Sequence, residues 1–318
     1  MIIDAHSHWL PGEIISNAHF YSKAWGDIDA QLKLMQAQGI DKAVLSYPTS
    51  DAHLKLGSMS VVSRMFNDNV AEIVKRFPDK FIGAAVLPAD NADDMIIELR
   101  RSREELGFKA VSLASSYNGK YLDDKLFIPL YKEIAGENIP IFVHSQTVNP
   151  IGFERVQDPL LTPVIEYIFD MIMCAGKLLM SGILRDYPNL KFIFANFAGA
   201  TPLLKDRFDA TYNMLRSVNF VKDLKGSPSG YLKNIYVDTG GDANKSNLCL
   251  ALEMFGAKQI LWGSDWPAKK DASGSIAAVK ELAISEEDIN NILGGNLERM
   301  LPSKGMPAHH IAPGVRLL

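Results

Sequence analysis

His6 and His8 stand one residue apart in MIIDAHSHWLP, at the end of an apolar run. In a β-strand, side chains alternate between faces, so residues i and i+2 project the same way. Two imidazoles on one face can hold a metal ion through ring nitrogens at about 2.0–2.1 Å. Taken alone, the pair has a plainer reading, as two polar residues closing a strand. Two other apolar runs end in residues of matching chemistry: IPIFVHSQ ends in His144, and ILWGSDWP ends in Asp265. Three imidazoles and one carboxylate suit Zn²⁺, with Mn²⁺, Fe²⁺ or Co²⁺ as alternatives. Of the other histidines, His19 and His53 fall in predicted loops, and His309 and His310 fall near the C-terminus.

The elements that must position these groups alternate short apolar runs with longer helical stretches. Strands are predicted over 1–5, 42–47, 81–87, 110–114, 140–144, 191–195, 235–238 and 259–263. They are rich in Val, Ile, Leu and Phe without strict polar alternation, as strands buried on both faces are. Helices are predicted over 27–38, 59–76, 92–106, 124–136 and 244–255. Asn91 and Asp123 read as N-caps, Gly39 and Gly107 as C-terminal glycines, and Pro78 as a stop. Gly294 and Gly295 interrupt the last helical region. Eight βα units in about 300 residues predict a single-domain α/β fold, a (β/α)₈ TIM barrel, over 1–302. An irregular tail follows over 303–318. The stretch 145–159 reads as a polar loop over the active face, leading into a long helix over 163–185.

Composition narrows the classes. The chain has 318 residues, is 47% hydrophobic and 22% charged, and carries a net charge of -4, which fits a globular protein with a sizeable core. That charge argues against nucleic acid or an anionic membrane as partner. No apolar run approaches the roughly 20 residues that span a bilayer, and the chain opens directly on a strand. Its two cysteines, Cys174 and Cys249, lie far apart, with no CxxC and no implied disulfide framework. The expectation is a cytoplasmic enzyme or binding protein.

The segments DAHSHWLP, GFKAVSLASSYNGKYLDD, PIFVHSQ, FDMIMCAGKLLMSGILRDYPNLKFIFANFAGATPLL and ILWGSDWP resemble the amidohydrolase superfamily. They look like its amidohydrolase-2 branch, which includes aminocarboxymuconate-semialdehyde and resorcylate decarboxylases. The resemblance spans about residues 1–302. It implies a barrel, a homodimer or larger assembly, and one divalent metal per chain held by His6, His8, His144 and Asp265. One position departs from the pattern. Where the family carries a histidine after strand six, the segment FANFAGA places Asn196. An amide only hydrogen-bonds and carries no proton near neutral pH.

Three readings follow. The first is a metal-dependent carboxy-lyase acting on a small unsaturated or aromatic carboxylic acid, with the metal drawing off charge and Asp265 as proton donor. Arg207, eleven residues after Asn196, matches an arginine of the family pattern; it reads as a clamp for a second carboxylate or as a solvated helix residue. Trp9 and Trp266 read as pocket walls or as core packing. The second reading is a hydrolase of a small ester, lactone or amide using metal-bound water. The third, prompted by Asn196, is a catalytically silent barrel.

Overall fold

Eight parallel strands carry the fold, each followed by at least one helical segment. The computed structural model describes residues 1–18, 21–48, 54–156, 158–221 and 223–302. The strands are β1 (Ile3–His8), β2 (Lys42–Ser46), β3 (Phe81–Val86), β4 (Ala110–Ala114), β5 (Ile141–His144), β6 (Phe192–Phe194), β7 (Ile235–Asp238) and β8 (Ile260–Leu261). Each pairs with the next in sequence order. The last closes on the first through Ala5 N–H to Trp262 O at 2.9 Å, Asp265 N–H to His6 O at 2.8 Å and His8 N–H to Trp266 O at 2.8 Å. The predicted (β/α)₈ barrel is the observed architecture, and the tail over 303–318 lies outside the described residues.

Alternation along each strand sorts the core into two shells. Ile3, Ala5, Val44, Ala84, Ala110, Phe142, Ile193 and Leu261 point into the barrel, where Leu297 and Met300 of the C-terminal helix Asn296–Met300 pack against them. Their neighbours, such as Ala43 and Leu45 or Phe192 and Phe194, face outward and join the larger core beneath the helices. Burial of these side chains is the main favourable term, at about 1.5–3 kcal/mol for each large one.

Strand β1 breaks the alternation. Ile3 and Asp4 pair with Lys42 and Ala43, but Ser7 and His8 pair with Leu45 and Ser46, so β1 carries one extra residue between them. A bulge of this kind shifts the facing of everything after it. His6 and His8 therefore share the inward side with Ile3 and Ala5. The orphaned His6 N–H donates to Asp4 Oδ1 at 3.1 Å, and Asp4 also accepts from Ser264 N–H at 2.9 Å and Ser264 Oγ–H at 2.5 Å.

Helix boundaries follow the sequence signals, with local departures. The helix Met59–Arg76 matches its prediction. The helix Ala92–Glu104 starts at the N-cap Asn91, and Ile28–Gln38 stops at Gly39 with φ 70°. At the third capping site the donor pattern selects Asp124, which accepts from Leu126 N–H at 2.9 Å, instead of Asp123. The long helix expected over 163–185 is three pieces: a π-helical turn Thr162–Glu166, the helix Tyr167–Ser181, and Ile183–Asp186 after Gly182, whose φ of 87° ends the run. The loop over 145–159 contains a helical turn at Phe153–Val156. Gly294 and Gly295 do not break the last helix; they widen it into a π turn, Asn291–Gly295.

Buried amides fasten helices to strands. Asn67 accepts from Val86 N–H and donates to Val86 O, both at 2.9 Å, and donates to Glu98 at 2.7 Å. Asn67→Ala removes the side-chain partner of the buried Val86 N–H and C=O, while Glu98 keeps Arg101; each lost bond costs about 1–3 kcal/mol. A lower urea midpoint with unchanged slope is the expected result of equilibrium unfolding.

Candidate metal centre

The inward face of the strand tips gathers the predicted ligands. His6 Nε2 and His8 Nε2 lie 3.1 Å apart, and Asp265 Oδ1 lies 3.6 Å from the first and 3.7 Å from the second. A ring nitrogen of each of His6, His8 and His144 lies within 4.8 Å of the other two. Ligands at about 2.0–2.2 Å from one cation stand roughly 3.0–3.5 Å apart for octahedral to tetrahedral angles. The donor set fits a single divalent ion.

Hydrogen bonds at the far ring nitrogens fix the tautomers. His6 Nδ1–H donates to Asp238 Oδ1 at 2.9 Å, His8 Nδ1–H to Ser46 O at 3.3 Å and Ser46 Oγ at 3.2 Å, and His144 Nδ1–H to Ser145 O at 3.1 Å. Carbonyl and carboxylate oxygens only accept, so each imidazole must present Nε2 to the centre. Trp25 stacks on His8 with ring centroids 5.8 Å apart. Below the imidazoles a small cavity opens between Ala5, Ser46, Ser112, Phe142 and Asp238.

Charge at the centre is arranged for a cation. Burial holds His8 well below its ordinary pKa, and burial with the neighbouring His6 pushes His144 down to about 3. Burial also works against a charge on His6, but the carboxylates of Asp238, Asp265 and Asp4 push its pKa up to about 9. Burial raises both Asp4 and Asp265 to about 6. A cation held between the imidazoles would take the place of the proton on His6.

Other predicted residues lie further out. Asn196 has φ 49° and starts a turn with Phe197 and Ala198, all three with positive φ. Its backbone N–H donates to Asp238 Oδ1 at 3.2 Å and its side chain donates to Gly240 O at 3.4 Å. Through its backbone N–H it supports the carboxylate behind His6. Trp266 is buried beside Asp265, with its backbone N–H on Ser264 Oγ at 3.0 Å. Trp9 is half-buried, packs against the outer core and donates Nε1–H to Gly26 O at 3.0 Å. Arg207 is exposed in the first turn of the helix Lys205–Ser217. His19, His53, His309 and His310 lie outside the described residues. The sequence reading passed over Asp4, Trp25 and Asp238. Asp238 had a signal, since it ends a predicted strand as His144 does.

A profile of the amidohydrolase family matches residues 3–302. The chain belongs to this family. It is 27% identical over 284 residues to a 2-amino-3-carboxymuconate-6-semialdehyde decarboxylase of Dictyostelium discoideum, covering 86% of this chain and 76% of that one. It is 26% identical over 288 residues to a gamma-resorcylate decarboxylase of Polaromonas, covering 86% of each. A 2-keto-4-carboxy-3-hexenedioate hydratase of Sphingobium is 25% identical over 293 residues, covering 86% of this chain and 81% of that one. Among solved structures, a dihydroxybenzoic acid decarboxylase from Polaromonas, with bound manganese and the inhibitor 2-nitroresorcinol, superposes with TM-score 0.79 at 23% identity, covering 94% and 96% of the two chains.

His144→Ala is expected to abolish stoichiometric metal binding while leaving the far-UV circular dichroism unchanged. Asp238→Ala, which removes only the oxygen behind His6, should weaken metal affinity by about 10–100-fold. Elemental analysis and metal titration read both; full metal content in His144→Ala would remove it from the ligand set.

Proposed function

We propose that the protein is a metal-dependent, non-oxidative decarboxylase of a small aromatic or unsaturated carboxylic acid. The observation that carries this reading is the convergence of three tautomer-fixed imidazoles and Asp265 at the open strand tips. The decarboxylases among its relatives supply the reaction type. A divalent cation held by His6, His8, His144 and Asp265 would act as a Lewis acid toward the charge that develops on the substrate. We propose Zn²⁺ as the resident ion on the strength of the three-nitrogen set, with Mn²⁺ supported by the related structure.

The chain's own residues then have distinct tasks. When the carbon–carbon bond breaks, its electron pair stays on the substrate carbon, CO₂ departs, and that carbon takes a proton. Asn196 holds none to give. The Asp265 carboxyl, at the centre and part-exposed, is the group we assign to deliver it. Trp266, buried next to Asp265, is assigned to the pocket wall.

Addition of water is the second reading, supported by the hydratase among the relatives. A silent barrel has less in its favour, because the four proposed ligands converge and each of the three imidazoles keeps a hydrogen-bonded partner at Nδ1. Incubating the metal-loaded protein with a panel of dihydroxybenzoates and unsaturated diacids separates the first two. Released CO₂ and a decarboxylated product are expected; water addition without CO₂ would select the second. Asn196→His should raise turnover if the site still follows the family pattern, and a loss would give the amide a role of its own.

We also propose a homodimer. Leu161, Ile165, Phe169 and Met173 follow one another at four-residue spacing and are all exposed, with Leu160 and Val164 beside them. Leu203, Met214, Val218 and Phe220 add exposed apolar surface on and around the neighbouring helix Lys205–Ser217. An apolar face of this size marks an interaction surface. Light scattering is expected to give twice the chain mass for the native protein and one chain mass for Phe169→Glu. The exposed free thiol of Cys249 fits a reducing cytoplasm, and no helix among the described residues is long and apolar enough to cross a membrane.

A further inference from the structure

The helix Tyr167–Ser181 sets a carboxylate, Asp170, against the loops that follow β4 and β5. Asp170 is buried, and its two oxygens accept four hydrogen bonds. Oδ2 accepts from Ser115 Oγ–H and, at 3.0 Å, from Ser116 Oγ–H. Oδ1 accepts from the Tyr121 hydroxyl at 2.8 Å and from Ile151 N–H at 3.1 Å. Burial and the neighbouring Asp170 carboxylate hold the Tyr121 hydroxyl well above its ordinary pKa, so it stays a donor.

From Asp170 the network continues through Ser115 to the metal centre. Ser115 N–H donates to His144 O at 2.7 Å, and Ser115 Oγ accepts from Gln146 N–H at 2.8 Å. A serine hydroxyl has one proton, and Asp170 takes it, which leaves a lone pair to face Gln146. Gln146 N–H and Ser145 C=O belong to one planar trans peptide and point in opposite directions. With the N–H held on Ser115, the carbonyl turns the other way, where it accepts His144 Nδ1–H at 3.1 Å. That last bond is what presents His144 Nε2 to the centre. Ser115, Gln146 and Asp170 are all buried, where hydrogen bonds are stronger than in water.

We propose that Asp170 is a positioning residue for His144, acting through the Ser115 hydroxyl and the 145–146 peptide to fix the tautomer and orientation of the third imidazole. The inference rests on the proposed metal site. It places a determinant of metal affinity on a helix outside the strand barrel, three hydrogen bonds away from the ligand.

Two measurements on the full chain test this without turnover: Co²⁺ titration followed by visible absorption, and histidine ¹⁵N NMR of the metal-free protein. Ser115→Ala and Asp170→Asn are each expected to weaken Co²⁺ binding by about tenfold, the low end for groups that orient a ligand. Because both cut one path, the double variant should lose no more than the larger single loss. In Ser115→Ala the His144 ring nitrogens should report a mixture of tautomers, while His8 keeps Nδ1–H. Tyr121→Phe removes a bond to the same carboxylate off this path. It should lower the melting temperature and leave Co²⁺ affinity within about twofold of native. Equal weakening by all three single variants would make Asp170 a packing residue and overturn the assignment. An unchanged His144 tautomer in Ser115→Ala, or native Co²⁺ affinity in both Ser115→Ala and Asp170→Asn, would do the same. If Asp170→Asn fails to fold, Ser115→Ala carries the test, since it deletes one hydroxyl and keeps the backbone bond to His144. A native protein that takes up no Co²⁺, yet shows the His144 tautomer shift in Ser115→Ala, would leave the positioning role standing and remove the metal reading.

Discussion

One extra residue in β1 decides whether this protein has a metal centre. Without the bulge between Asp4 and Ser7, the alternation that points Ile3 and Ala5 into the barrel would turn His6 and His8 out toward the helices. With it, two imidazoles enter the lumen at adjacent levels. Asp4 makes the distortion tolerable by accepting the orphaned His6 N–H, and it holds Ser264 at the tip of β8 in the same embrace. The residue that stabilises the bend in β1 therefore also sets the place of the Asp265 loop relative to the histidines.

Behind that bend lies a balance of buried charge. Asp4, Asp238 and Asp265 surround His6 in a largely buried site, and three carboxylates without a cation are costly there. His6 answers with a proton, and a metal ion answers more fully. The Asn196 turn belongs to the same balance, because its backbone N–H and that of Gly240 both point at Asp238 Oδ1. An asparagine suits such a turn, since its short polar side chain tolerates positive φ.

Much of this was legible in the chain. Buried parallel strands and helices with clear caps announce a barrel, and the four proposed ligands fall at strand ends where barrels place their chemistry. What could not be read was direction. The bulge has no marker in IDAHSH, and the alternation argument alone set the two histidines together without saying on which side of the wall. The supporting residues were hidden for a related reason: Asp4 reads as an ordinary strand residue until Ser264 is brought against it from across the sequence. Other features were written plainly and passed over. Asn118 and Gly119, both with positive φ, form the turn of the two-stranded ribbon Ser116–Tyr117 and Lys120–Tyr121, a pairing the Asn-Gly dipeptide signals.

Leu297 and Met300 pack beneath the inward-facing strand residues and fill the barrel at the end away from the metal centre. A lumen stopped at one end is a blind shaft. Whatever enters toward His144 and Asp265 must turn around and leave past the same rim. Traffic through such a shaft is ordered by its entrance, so the loops that ring it govern the sequence of arrival and departure as much as the shape of what fits.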